Sequence, residues 1–229
     1  MNFFARNLQI FKRIGLPLFV LSLIYTSIDQ LLTINIDDAL KSPNGPVNVV
    51  WFYGFISLIF GIVFPILGIL VVIYGAKTPD ANEKGLVHFI GRHLNQLSIE
   101  ILRSWGKTLL WSMLLILPGV WKYIEYTMIP FVVTLSKPYD RGEEDALAAS
   151  SQVVKHRLLK ISAILFVFHL FLPSVLTVFF DEYRLVWHTP VAALALNFVD
   201  VYLFILSTQL LMTVFEQEIQ EPSHGTSHV

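Results

Sequence analysis

The 26 residues at positions 49–74 (VVWFYGFISLIFGIVFPILGILVVIY) carry no charge, and this run limits what the chain can fold into more than any other. A helix rises about 1.5 Å per residue and the hydrocarbon core of a bilayer is about 30 Å thick, so about 20 apolar residues cross it. The run is long enough to cross with some tilt. A soluble domain would have to bury such a helix on every side, and 229 residues with several other apolar stretches do not supply the surrounding core. Composition points the same way. Hydrophobic residues make up 55% of the chain and charged residues 14%, where soluble domains carry about a quarter charged residues. The expected class is all-α, a polytopic membrane helix bundle.

The sequence has no cysteine, which removes disulfides, thiolate metal sites and thiol nucleophiles. Its net charge of −1 gives no electrostatic reason to expect nucleic acid as a partner. Arg6, Lys12 and Arg13 precede an apolar run from Ile14, as in a secretory signal, but no small-residue cleavage site follows. The run is expected to be kept as a first span, over residues 14–36, with Asp29 toward its far end. Residues 37–48 combine two acids with Pro43, Asn44, Gly45 and Pro46, the chemistry of an exposed turn. Span two is residues 49–74, with Pro65 inside.

Between 84 and 97, Leu86, Phe89, Ile90, Leu94 and Leu97 fall near helical spacing with His88, Arg92 and His93 between them. An amphipathic helix is expected, lying on the lipid surface or packed on the bundle. Residues 98–117 and 120–138 are apolar but interrupted. They fit two spans joined by a turn at Pro118-Gly119, with Glu100, Arg103 and Lys107 reaching an interface. The competing reading is a re-entrant hairpin at the same Pro-Gly pair. Residues 140–160 read as a polar helix with acids at its start and Lys155, His156, Arg157 and Lys160 at its end. Span five is 161–180, span six is 190–215, and 216–229 is expected to be a polar, flexible tail after a single domain over 1–215.

In this six-span arrangement 13 Lys and Arg fall on one side and 3 (Lys41, Lys122, Arg184) on the other, which places both termini in the cytoplasm.

Ionisable groups inside a bilayer are expensive and therefore mark candidate sites. His169 in span five and Asp200 in span six lie at similar depth, so a pair between them is geometrically open, either as a proton-sensitive element or as a polar clasp with Asn197. Lys122 and Glu125, at i and i+3, are placed to pair on one helix face. Enzyme motifs fail one by one. No His-Glu-x-x-His holds a zinc ion, Gly106-Lys107-Thr108 lacks the glycines of a phosphate loop, and no Gly-x-Ser-x-Gly elbow occurs. His88, His93 and Glu100 are the only clustered candidates for a lipid-modifying enzyme at the cytoplasmic face.

Ile116, Pro118, Gly119, Tyr123, Tyr126 and Pro130, followed by Ala146, Leu147, Ser150, Val154 and Lys155, carry a family likeness. Over residues 114–160 the chain resembles the YciC-like family of bacterial integral membrane proteins and the membrane domain fused to glycerophosphodiester phosphodiesterases. The resemblance implies a multi-span bundle of the bacterial inner membrane without established chemistry. It does not bring the phosphodiesterase activity, since Lys155-His156-Arg157-Leu158 lacks that domain's glycine after the His-Arg pair. Together these readings lead to the expectation of a non-enzymatic protein without cofactor or metal. It would serve as a structural or accessory subunit in envelope maintenance or in a larger membrane complex. Its expected partners are membrane lipids and a membrane protein or a second copy of the chain, not nucleic acid. The alternative is a small-solute, ion or lipid transporter or channel using His169 and Asp200.

Overall fold

The computed structural model describes residues 3–42, 47–77 and 85–220. Every regular element among them is helical. The described chain divides into two compact units, each assembled from separate stretches: residues of Met1–Gly75 and Ser174–Ile205 form the first, residues of Ala76–Pro173 and Leu206–Val229 the second.

In the first unit α1 (Phe3–Lys41) and α2 (Val47–Ala76) pack with the end of α8 (Leu172–Phe180), a 3-10 turn at Asp181–Arg184 and the first half of α9 (Pro190–Gln220). Helix α1 has 39 residues and so measures about 58 Å at about 1.5 Å per residue. It runs through the expected turn at 37–41, where Lys41 pairs with Asp37 one turn earlier at 3.8 Å and complements the negative end of the helix dipole. The remaining turn residues 43–46 lie outside the described residues. Small residues set the spacing within the unit. A Cβ on Gly75 would come within 2.7 Å of Ile14 Cγ2, and one on Gly68 within 2.9 Å of the Phe204 ring. The glycines thus let α2 approach α1 and α9 closely, the usual way membrane helices gain van der Waals contact. Ile14, Leu18, Leu70, Ile73 and Ile205 are buried in this packing. The opposite side of α2 presents Trp51, Phe52, Phe55 and Leu58 outward, which suits acyl chains and not water.

The second unit holds α3 (Leu86–Leu114), α4 (Ile116–Glu125), α5 (Ile129–Leu135), α6 (Lys137–Asp140), α7 (Ala146–Leu165), a π-helical segment Phe166–Phe171 and the last part of α9. Phe89, His93, Leu97, Glu100 and Ser104 make one buried stripe along α3, spaced by threes and fours as helix geometry requires. The amphipathic helix expected at 84–97 is therefore the first half of a longer one whose apolar face is packed on protein.

The turn after α3 is not at Pro118-Gly119. Leu115 alone is extended (φ −158°, ψ 143°), and Pro118 and Gly119 sit in the first turns of α4. Proline is at home there because the first amides of a helix have no intrahelical acceptor. Glycine at 119 has a separate cause: α4 folds back so closely on α3 that a Cβ would clash with the Ser112 hydroxyl and come within 2.8 Å of Ser112 Cα.

The stretch 120–138 is also not one helix. Helix α4 ends at Glu125, the backbone turns over 126–128, and α5 and α6 follow as separate short pieces. Four helices among the described residues are long and apolar enough to cross a membrane: Arg6–Lys41, Val47–Ala76, Ala146–Arg184 and Pro190–Ile219. These carry expected spans one, two, five and six. The polar helix and span five, expected as two elements, form one continuous 39-residue helix. It is capped at its start by Asp145, whose carboxylate accepts the Ala148 amide at 3.2 Å, and locally unwound at Arg157 (φ −120°, ψ 25°). At the other end of the chain α9 continues to Gln220, past the expected boundary at 215. Residues 221–229 of the expected tail lie outside the described residues.

Candidate functional site

A cavity of about 550 Å³ lies wholly within the first unit. Leu18, Ser22, Tyr25, Thr26 and Asp29 line it from α1, at the spacing that keeps one helix face in register. Phe64 enters from α2, Asp200, Val201 and Phe204 from α9, and Asp181, Glu182, Arg184 and Leu185 from the turn before α9.

Gln30 fixes that turn. Its side-chain Nε2 donates to the Arg184 carbonyl at 2.7 Å and its Oε1 accepts the Val186 amide at 3.1 Å, so both halves of one amide bind backbone groups that no helix satisfies. With the turn held, the Arg184 guanidinium grips Asp200 through two hydrogen bonds, Nη1 to Oδ2 at 2.9 Å and Nη2 to Oδ1 at 3.3 Å. This planar, two-point pairing is the strong form of an ion pair. Asp29 receives the Ser57 hydroxyl at 3.1 Å. The cavity is thus lined by four carboxylates, Asp29, Asp181, Glu182 and Asp200, against one guanidinium. Its apolar wall is aromatic: Tyr25 stacks on Phe64 with ring centres 4.5 Å apart, and Phe64 meets Phe204 at 6.4 Å. No group of three or more His, Asp or Glu among the described residues is placed to hold a metal ion.

Asp200 engages Arg184 of the 3-10 turn before α9, within the first unit. His169 lies in the π-helical segment of the second unit. Asn197 is 6% exposed, and neither of its amide atoms finds a hydrogen-bond partner among the described residues, so it forms no clasp there. The Lys122–Glu125 ion pair is present, and Trp121 Nε1 also donates to Glu125 at 2.8 Å. The Glu125 side chain is buried, so the pair ties down the end of α4.

The enzyme candidates on α3 do not converge. His88 is exposed, His93 Nδ1 lies 3.0 Å from the Phe89 carbonyl of its own helix, and Glu100 accepts Arg103, which also reaches Asp145 at 3.0 Å. That chain of charges binds α3 to the start of α7. Burial pushes the Asp145 carboxyl up, but hydrogen bonds from the Ala148 amide and from Arg103 outweigh it and hold the group below the ordinary carboxylate range.

One further buried hydroxyl, that of Ser150 on α7, does structural work. Ser150 is fully buried. Its hydroxyl donates to the Glu125 carbonyl at 2.7 Å and accepts the Met128 amide at 3.2 Å, closing the backbone gap between α4 and α5.

Sequence reasoning missed Arg184, Gln30 and Tyr25 as members of a site and placed Asp29 only toward the far end of the first span. The available signal was the adjacent polar pair Asp29-Gln30 inside a span, which a bilayer tolerates only with partners. Comparison with models of protein families, with curated proteins and with solved structures gives no match for this chain.

Proposed function

We propose that this chain is a non-catalytic integral protein of a bacterial inner membrane, a structural or accessory subunit. It crosses four times with both termini cytoplasmic, and the α3–α4 hairpin enters the cytoplasmic leaflet partway. The observation that carries this reading is the hairpin tip. Met113, Leu114, Leu115, Ile116 and Leu117 are consecutive and 67–87% exposed, a patch that a water-facing surface does not keep without a cover. Lys107 and Lys122 flank the tip from the two helices. From Lys107 to Leu115 is eight residues, about 12 Å of helix, which matches half of a hydrocarbon core about 30 Å thick. That length suits re-entry better than two full crossings. With the hairpin on the cytoplasmic side, 14 of the 16 Lys and Arg are cytoplasmic and only Lys41 and Arg184 face out, a stronger asymmetry than six spans give.

The subunit role is supported by what the charged and hydroxyl groups do. Glu100, Arg103, Asp145, Glu125 and Ser150 are engaged in holding the fold, and none is left poised for chemistry. In a test of this role, the protein is extracted with mild detergent from its own membranes and sized. A discrete assembly of defined composition is expected, and the isolated chain reconstituted in lipid should turn over no substrate. A solitary chain that catalyses a reaction on a lipid or solute would remove the reading.

A second reading, transport or binding of a small solute, is favoured by the cavity of the first unit. It shifts the expected site from His169 and Asp200 to the faces of α1, α2 and α9.

A further inference from the structure

We infer that the cavity of the first unit binds an organic ammonium group. The inference needs α1, α2 and α9 to be membrane helices and does not need the accessory role.

Charge gives the sign of the ligand. Arg184 is matched by Asp200 at 2.9 Å, which leaves Asp29, Asp181 and Glu182 facing the same space without a cationic side chain at ion-pair distance among the described residues. Negative charge gathered beside low-dielectric surroundings is stabilised by a bound cation. A second, independent observation points to a ligand. Ser22 is 8% exposed, lines the cavity on the same face of α1 as Asp29, two helical turns away, and its hydroxyl has no hydrogen-bond partner among the described residues. A hydroxyl buried inside a membrane helix normally bonds to its own backbone or to a neighbour, so one left open toward a cavity is available to accept from an N–H donor.

The walls give the chemical class. The stacked Tyr25–Phe64 pair offers ring faces, and aromatic faces attract ammonium groups, most strongly where water is excluded. A bare metal ion fits poorly, because the carboxylates are not grouped to coordinate one. The volume of about 550 Å³ falls in the range of sites for organic ligands, roughly 300–1,000 Å³. In the complex the ammonium sits against the Asp29 carboxylate, which Ser57 holds in place, with Ser22 accepting an N–H and Phe64 covering the carbon frame. Two sources present this chemistry, a free amine and the amine headgroup of a phospholipid.

The test uses the full chain in phosphatidylglycerol nanodiscs, which contain no amine, titrated calorimetrically with phenethylammonium and with the neutral isostere 2-phenylethanol. In parallel, protein extracted from phosphatidylethanolamine bilayers is assayed for retained lipid by native mass spectrometry. Calorimetric binding of phenethylammonium but not of phenylethanol, weakened at least tenfold by Asp29→Asn and by Ser22→Ala, establishes a site for free amines. Absence of that binding together with phosphatidylethanolamine retained by the native chain and lost by Asp29→Asn assigns the site to a lipid headgroup. Phe64→Leu, which leaves every polar group in place, should weaken either ligand and serves if Asp29→Asn does not fold. The inference is overturned if neither ligand binds, if phenylethanol binds equally well, or if the folded variants bind like the native chain. A failed accessory role would instead show as a solitary catalytic chain, whatever the cavity binds.

Discussion

Single side chains decide how the broken stretch between α3 and α7 holds together. Ser150→Ala removes both bonds across the α4–α5 gap and strands the Glu125 carbonyl and the Met128 amide in a buried place, at a cost of about 1–3 kcal/mol. A lowered midpoint of thermal unfolding in detergent checks it, and an unchanged midpoint would mean that the clasp carries no stability. Gly119→Ala forces a methyl group toward Ser112 Cα at 2.8 Å, and since backbone cannot swing aside as a side chain does, a loss of about 1–3 kcal/mol is expected. Asp145 adds a pH dependence with a definite sign. Its pKa is lowered in the folded state, so its contribution is present above the ordinary carboxylate pKa and fades as pH falls through the folded value. Because the side chain is 46% exposed, solvent screens its pairing with Arg103, and the capping bond is the larger part, about 0.5–2 kcal/mol. Asp145→Ala should lower stability at neutral pH by that amount and leave the protein near pH 3 closer to the native chain, as read by paired thermal melts.

At the scale of elements, length and apolar content were legible and breaks were not. The uncharged run at 49–74 announces α2 because nothing in it offers an alternative to a buried or lipid-solvated helix. The stop at Glu125 has only the weaker mark of Pro130, which has no amide to offer the Tyr126 carbonyl of a continuing helix. What closes the gap is Ser150, 25 residues further on, donating to the Glu125 carbonyl and accepting the Met128 amide. The Pro118-Gly119 pair misled for a physical reason: both residues that suit a turn also suit a helix start packed against a neighbour, and only the proximity of Ser112 distinguishes the two. For the hairpin, replacing Leu115, Ile116 and Leu117 together with lysine should expel the tip from lipid. Quenching of Trp111 and Trp121 fluorescence by lipid-borne quenchers reports it, and quenching equal to that of the native chain would contradict partial insertion.

For the whole molecule, the absence of cysteine makes topology directly measurable. Cysteines introduced singly as Glu182→Cys and Glu143→Cys should react with an impermeant maleimide from opposite sides of the membrane, the first from outside intact cells. Labelling of both from one side would overturn the four-crossing arrangement. Residue chemistry along the chain was enough to establish an all-helical protein with helices long and apolar enough to cross a membrane, because the free energy of placing long apolar helices is additive over neighbours and independent of what they later touch. Which polar groups meet is a different kind of fact. Arg184 reaches Asp200, Gln30 secures a turn more than 150 residues away, and four acids share one cavity only after the helices have packed, since each pairing joins positions whose separation in sequence carries no trace of their distance in space.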